Sequence, residues 1–273
     1  MLMKKKIKVG TTGDIHYIEG IVSFQKITLN VYSFLIDGLL IDTGAPRLLP
    51  EFKTFFTKHP FEKVVLTHSH EDHVGGAAYL QHKYDVPILM HDLGIENCTK
   101  KADYPFYRKF FWGKRAPFHA QSIDRTIQSR HITWDVIETP GHAADHISLF
   151  NRQTGQLFTG DLFVYPRTKL VLRDESIPTM IESIKSVLQY PFEEIICCHA
   201  GYVKNGREKL KEKLQYLEDI QGKIIEMDKE GYAEKEIQSK LFEKKYPITY
   251  ISFGEWDSLH IIRSVLREAR EEV

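Results

Sequence analysis

Residues 67–73 read THSHEDH and directly follow the apolar run KVVL, which predicts a short buried strand. In an extended chain His68 and His70 project to the same side, so they can bind one ion together. The chain then turns into a helix, on which Asp72 and His73 can face a second ion beside the first. Imidazole nitrogens and carboxylate oxygens suit zinc or a similar first-row metal. The motif therefore predicts a metal site at a strand-to-helix junction.

Three further residues of the same chemical types each come at the end of another predicted strand. Ligands at the ends of successive strands converge in a layered α/β fold, because those ends meet at one edge of the sheets. Any one of these residues alone would equally fit a turn or a cap. Together with the 67–73 motif they complete a ligand set for two ions. The strands and their residues are Trp134–Thr139 with His142, Gln156–Thr159 with Asp161, and Glu194–Cys198 with His199.

The order of these motifs resembles that of the metallo-β-lactamase superfamily, in particular its glyoxalase II-like branch. The resemblance spans about residues 15–200. It implies an α/β fold, an αββα four-layer sandwich with two ions at one edge and helices at the C-terminal end. The matching segments are HSHEDH at 68–73, LLIDTG around Asp42, TPGH ending at His142, FTGD ending at Asp161, and CCHAG around His199.

The resemblance also implies how the ligands divide between the ions. Three histidines would hold the first ion, a carboxylate and two histidines would hold the second, and one aspartate would bridge the two. In that order the residues are His68, His70 and His142; Asp72, His73 and His199; and Asp161. Asp42 matches a position that supports the ligand loop without binding a metal.

The chemistry follows from such a site. Two dications about 4 Å apart share a water and lower its pKa from about 16 toward 7, which gives a metal-bound hydroxide at neutral pH. The hydroxide attacks an acyl carbon or a phosphorus, and Asp72 is the candidate catalytic residue that orients it. We expect two divalent ions, with zinc favoured and iron or manganese as alternatives.

Composition limits the range of partners. The chain has 273 residues, with 37 Lys and Arg, 37 Asp and Glu, and 13 His, so its formal net charge is zero. Nucleic-acid affinity without sequence preference comes from a basic excess, so the balance argues against a nucleic-acid binder. It allows a small-molecule substrate that is anionic, because two bound dications would leave the pocket electropositive.

The compartment is predicted from cysteine use and from the absence of a targeting signal. Cys98, Cys197 and Cys198 are odd in number and two are adjacent, which does not suit a disulfide framework. No apolar core of a signal peptide follows the basic start, and no apolar run approaches the roughly 20 residues of a membrane span. We therefore expect a cytoplasmic protein without a membrane association.

The pattern of elements predicts a catalytic domain over residues 1–225 and a helical extension over 226–273. Residues 95–131 lack a clean period and read as an inserted lid or binding loop. Within them, the aromatic and basic stretch 104–115 could close over an anionic substrate or could equally be a core-packing helix. The C-terminal helices could bind substrate or form a homodimer.

Several residues near the motifs are candidates for binding or support. His146, four residues after His142, is predicted to support the ligands, because the ligand set is already complete. The predicted substrate lid consists of Tyr104, Tyr107, Trp112 and Tyr165. Tyr165 is also a candidate acid for the leaving group. The Asp145–His146 pair is similar to a form found in superfamily enzymes that cleave RNA.

Three functions stay open on the sequence alone. The first is a metal-dependent hydrolase of a small acyl substrate: a thioester, an ester or a lactone. The second is a phosphodiesterase or ribonuclease, for which the 104–115 stretch and the Asp145–His146 pair speak. The third is an iron-dependent sulfur dioxygenase.

Overall fold

Two facing β-sheets form the centre of the protein. The computed structural model describes residues 3–271, so the first two and last two residues of the predicted domains lie outside the described part. The first sheet has seven strands in sequence order, antiparallel from β1 to β4 and parallel from β4 to β7. These strands are β1 Lys4–Thr12, β2 Ile15–Phe24, β3 Ile27–Ile36, β4 Leu39–Ile41, β5 Lys63–Val65, β6 Ile88–Met90 and β7 Gln121–Ser122.

The second sheet has six strands in the order β14-β13-β11-β10-β9-β8. Its strands pair antiparallel except for β11 and β13, which run parallel. The strands are β8 Thr126–Gln128, β9 Thr133–Glu138, β10 Ile147–Asn151, β11 Gln156–Phe158, β13 Glu194–Cys197 and β14 Gly201–Val203. A small separate ribbon pairs β12 Val171–Leu172 with β15 Trp256–Asp257.

Helices cover the outer face of each sheet. Within the described residues, five α-helices lie before residue 113 and five after residue 176. The helices are α1 Leu49–Lys58, α2 Glu71–Val74, α3 Ala77–Tyr84, α4 Asp92–Thr99, α5 Phe106–Trp112, α6 Ile177–Val187, α7 Gly206–Lys229, α8 Glu234–Leu241, α9 Pro247–Ile251 and α10 Leu259–Glu271.

Three hydrophobic cores separate these layers. The middle core packs the two sheets against each other and includes Phe34, Trp134 and Phe158. A second core joins the outer face of the first sheet to helices such as α1 through Phe52. The third joins the second sheet to α6, α7, α8 and α10, with Ile184 among its buried residues. Three cores between four layers make an αββα sandwich, which confirms the predicted fold.

The segment 95–131 is built into both sheets. It contains most of α4, all of α5, the edge strand β7 of the first sheet and the edge strand β8 of the second. Only α5 approaches the cavity described below, through Tyr107, Arg108, Phe111 and Trp112. The segment is therefore the crossover between the sheets, and one of its helices forms a cavity wall.

The predicted domain boundary at residue 225 falls inside α7. This helix buries Leu210 and Ile224 in the same core as Ile262 of α10. The C-terminal helices thus share one core with the second sheet.

The strand ends explain where polar residues gather. The parallel strands β4 and β5 end at one edge of the first sheet, and β9, β11 and β13 end at the same edge of the second. The two edges meet there, since the backbone N–H of Ile147 donates to the carbonyl of Thr67 at 2.9 Å. Within residues 3–271, no helix combines the length and the apolar character that crossing a membrane requires.

Candidate metal centre

The seven predicted metal ligands come together at this edge. In each of two groups of three residues, the three ligand atoms lie within 4.8 Å of one another. These two groups match the two sets expected from the sequence. A third such group, His68, His73 and Asp161, overlaps both sets. The first two groups are His68, His70 and His142, and Asp72, His73 and His199.

Asp161 lies between the two groups of ligands. Its Oδ2 is 2.9 Å from Nε2 of His199 and 3.4 Å from Nε2 of His142. Its Oδ1 is 3.5 Å from Nε2 of His73. The carboxylate thus contacts histidines of both groups, as a bridging ligand must.

The donor atoms fit divalent metal ions. His68 Nε2, His73 Nε2 and Asp161 Oδ1 are buried and have no hydrogen-bond partner among the described residues. Buried polar atoms nearly always have a partner, so three such atoms facing one cluster need an explanation. Neutral imidazole nitrogens and carboxylate oxygens are the donors that zinc, iron and manganese accept. Ions bound here would satisfy these atoms.

Asp42 orients one of the ligands. Its Oδ2 accepts a hydrogen bond from Nδ1 of His73 at 2.8 Å, which leaves His73 Nε2 facing the cluster. The same carboxylate accepts from the backbone N–H and the hydroxyl of Thr67, each at 2.8 Å. Asp42 is fully buried and lies directly after β4. It therefore fixes both the loop and the ring.

His146 holds the backbone of Asp161. Its Nε2 accepts the hydrogen bond of the Asp161 N–H at 2.9 Å, so its own proton must be on Nδ1. That nitrogen lies 2.8 Å from the hydroxyl of Thr139, to which it donates. Burial lowers the pKa of His146 to about 3, which keeps the ring neutral, as this pattern requires.

Two contacts of the ligands are not evident from the sequence motifs. Glu175 Oε2 lies 3.1 Å from Nδ1 of His142, and Glu175 Oε1 accepts from the backbone N–H of Leu172. The other contact joins Nδ1 of His199 to the backbone carbonyl of Asn30. Each contact holds the Nδ1 side of its own histidine and so directs the Nε2 atom of that ring towards the cluster.

The electrostatics of the cluster favour bound cations. Burial alone would raise the pKa of Asp161, but His199 and His73 outweigh it and hold the pKa well below its usual range. Burial keeps the pKa of His68 well below its usual value, so that its ring is neutral. An ionised carboxylate and a neutral imidazole are the forms that bind metal.

A cavity of about 840 Å³ opens onto the cluster. Among its lining residues are the ligands His70, Asp72, His142, Asp161 and His199. Most of the remaining wall is apolar, and its residues include Leu29, Phe111, Trp112, Leu170, Met180 and Trp256. Such a volume matches a typical small-molecule site.

The four predicted lid residues have different surroundings. Tyr107 and Trp112 are buried in the cavity wall, and Tyr165 lines its mouth with 68% of its surface exposed. The Tyr107 hydroxyl is buried without a partner among the described residues. Tyr104 does not line the cavity, because its hydroxyl binds the carbonyl of Gly113 and the N–H of Arg115.

The fold and the histidine–aspartate cluster define a metal-binding αββα protein. The sequence matches the Metallo-beta-lactamase superfamily profile over residues 28–254, so the chain belongs to the metallo-β-lactamase superfamily.

Relatives in sequence and structure agree with this family. The chain is 30% identical over 163 residues to "Probable metallo-hydrolase YflN" of Bacillus subtilis, covering 52% of this chain and 60% of that protein. It is 30% identical over 142 residues to "Hydroxyacylglutathione hydrolase" of Xanthomonas axonopodis, covering 51% of this chain and 47% of that protein. The structure of a beta-lactamase domain protein from Burkholderia ambifaria matches 96% of this chain and 88% of its own, with a TM-score of 0.70 and 16% identity. The chain thus spans about half to three fifths of the length of these two curated relatives.

Proposed function

We propose that the protein is a binuclear metal-dependent hydrolase of small acyl compounds, namely thioesters, esters or lactones. The observation that carries the proposal is the position of Asp161 between two groups of three ligands. Relatives named metallo-hydrolase and hydroxyacylglutathione hydrolase support the same reaction class.

The residues of the cluster have distinct tasks in this proposal. Zinc, iron or manganese ions held by the seven ligands would supply a nucleophile at neutral pH and polarise the substrate oxygen. Asp72, 3.6 Å from His199 Nε2, orients the attacking group. The cavity wall binds the acyl chain and excludes water from it.

The cavity supports acyl rather than phosphoryl transfer. Two of the basic residues of 104–115 that would favour a phosphodiester have other partners, and the first of them, Arg108, pairs with Glu71 in two hydrogen bonds. Arg115 donates to the carbonyls of Asn97, Cys98 and Lys100. Asp145 is buried beside Ser69 and is not among the cavity-lining residues.

A substrate panel tests the proposal. Protein loaded with zinc, manganese or iron in separate samples would be offered chromogenic thioesters, lactones and bis(p-nitrophenyl) phosphate. We expect turnover of at least one acyl substrate, and none without metal. Turnover of the phosphodiester alone would favour the nuclease alternative. One iron per chain without zinc, together with no hydrolysis, would favour the sulfur dioxygenase.

A further inference from the structure

Lys213 is a buried cation on the cavity wall that the proposed reaction does not use. It lies on α7, only 3% of its surface is exposed, and it lines the cavity together with the metal ligands. Its Nζ donates to the backbone carbonyls of Leu162 and Phe163, each at 2.7 Å. These two residues directly follow Asp161.

The ammonium group lacks an anionic partner. It carries three N–H donors, and two of them bind the carbonyls. Within the described part of the chain, no carboxylate oxygen lies close enough to form an ion pair with it. The carboxylates of Glu175 and Asp161 act on the ammonium only from beyond ion-pair distance, where they raise its pKa. Because its third N–H has no acceptor among the described residues, an anion supplied by a ligand would be favoured here. Burial lowers the pKa of Lys213 to about 8, which still leaves it mostly charged at neutral pH.

The other cations of the cavity differ from Lys213. Arg108 is bound in two hydrogen bonds to Glu71. Arg167 and Lys169 are exposed residues of the cavity mouth. Lys213 alone among these combines burial with a free donor.

The position of Lys213 limits where the anion lies on the substrate. Consecutive Cα atoms are about 3.8 Å apart, so the carbonyls that hold Lys213 lie within about 8 Å of the Asp161 backbone. An anion at Lys213 can therefore belong to the same small substrate whose other group reacts at the cluster. Most of the remaining wall is apolar, and the cavity of about 840 Å³ has room for a bulky chain.

We propose that Lys213 is the anion-binding residue of the cavity, and that the substrate is an acyl compound with an anionic group a few bonds from its reacting carbonyl. The substrate class rests on the proposed hydrolase function. The binding role of Lys213 does not, so the two can fail separately.

A matched pair of substrates tests the role in turnover. The glutaryl thioester of N-acetylcysteamine is anionic, and its glutaramyl analogue replaces the carboxylate by a neutral amide of nearly equal shape. With metal-loaded protein, we expect kcat/KM to favour the anionic substrate at least 10-fold. Lys213→Met should abolish this preference by raising KM for the anionic substrate. Its kcat/KM for the neutral substrate should stay within about threefold of the wild-type value.

Control variants separate binding from structure and from general charge. Lys211→Met changes an exposed residue of the same helix, and Lys169→Met changes an exposed cation of the cavity mouth. Both should keep the preference for the anionic substrate. An equal loss with both substrates in Lys213→Met would assign Lys213 a purely structural role and overturn the proposal. Loss of the preference in Lys169→Met alone would overturn it as well.

A binding measurement covers the case in which Lys213→Met does not fold or no thioester turns over. Fluorescence of the cavity-lining Trp112 and Trp256 reports binding of hexanesulfonate and of neutral hexanol to the metal-loaded wild type. We expect hexanesulfonate to bind at least 10-fold more tightly, and Lys213→Gln to remove the difference. Equal affinities in the wild type would contradict the anion site. Tight anion binding without any hydrolysis would contradict the proposed function and leave the anion site standing.

Discussion

Glu175 is the side chain whose removal should weaken the metal site without touching a ligand. It holds the Nδ1 side of His142, and loss of such a partner typically costs 10- to 100-fold in metal affinity. We expect Glu175→Gln to weaken metal binding within this range, because the neutral amide orients the ring less strongly. Competition with a chromogenic chelator measures the affinity.

Glu182→Gln is the matched control, since Glu182 lies on α6 and pairs with Lys185 at the surface. Its metal affinity should equal that of the wild type. If Glu175→Gln also binds metal with the wild-type affinity, the carboxylate does not support His142.

Tyr107 is a candidate proton donor to the leaving group. Its hydroxyl is buried, unpaired among the described residues and in the wall of the reaction cavity, whereas the sequence-based candidate Tyr165 is largely exposed. We expect Tyr107→Phe to slow the hydrolysis of alkyl esters about 10- to 100-fold, because their leaving groups need a proton. The hydrolysis rate of thioesters with acidic thiols should change little, because such thiols leave without a proton. Equal effects on both series, in steady-state kinetics, would rule out a proton-donating role.

The sequence predicts ligands better than it predicts their supports. The ligands between His68 and His73 are recognisable because four ligand residues fall within six positions after an apolar strand. Glu175 and Lys213 carry no such pattern, since Glu175 lies in a turn and Lys213 within a charged helix. Their roles depend on tertiary contacts between segments that are distant in the sequence, and the spacing of residues within one segment does not predict such contacts.

The contact between α5 and α2 is the ion pair that fixes the cavity wall to the ligand motif. Arg108 binds the fully buried carboxylate of Glu71 with two hydrogen bonds. Removing one partner of a buried pair leaves a charge uncompensated and costs about 3 kcal/mol or more. We expect Arg108→Met to lower the free energy of unfolding by about this amount. Urea denaturation of metal-loaded protein measures it.

The double variant Glu71→Gln with Arg108→Met should recover part of the loss, because no charge then remains buried. Lys114→Met, on an exposed residue just after α5, should change stability by less than about 0.5 kcal/mol. If Arg108→Met is no less stable than this control, the pair does not fix the helix.

At the level of elements, periodicity predicts the helices and strands that carry an apolar face. Strand β1 was not foreseen, because Lys4, Lys5 and Lys6 give it a polar, exposed character at the sheet edge. The Asp37–Gly38 pair is typical of a tight hairpin turn, and both residues have positive φ, as such a turn requires. The interpretation of 95–131 as an insertion missed that two of its short segments complete the sheets, because strands of two or three residues leave no readable alternation.

Asp37 joins the two sheets at the end of the sandwich away from the cluster. Its carboxylate accepts hydrogen bonds from residues of the 129–132 turn, while its own turn connects β3 and β4. Burial alone would raise the pKa of Asp37, but these hydrogen bonds outweigh it and lower the pKa to about 2. A lowered pKa in the folded state means that the carboxylate stabilises the fold above about pH 4 and loses this effect as pH falls towards 2.

We therefore expect Asp37→Asn to lower the free energy of unfolding by about 1–2 kcal/mol at pH 7. The difference from the wild type should shrink as pH falls from about 4 to about 2, in urea titrations at each pH. Asp103→Asn, on an exposed residue, serves as the control. A difference that stays constant across this pH range would show that ionised Asp37 does not join the sheets.

For the whole molecule, we propose that one cluster, assembled from the ends of strands in both sheets, holds two ions that act together. The most direct measurement is the metal content per chain, with thioester turnover on the same samples, in the wild type and in Asp161→Ala. We expect two divalent ions per chain in the wild type, and in Asp161→Ala fewer ions with turnover lowered at least about 100-fold. A wild type that binds no divalent ion after loading, or an Asp161→Ala variant with full turnover, would contradict it.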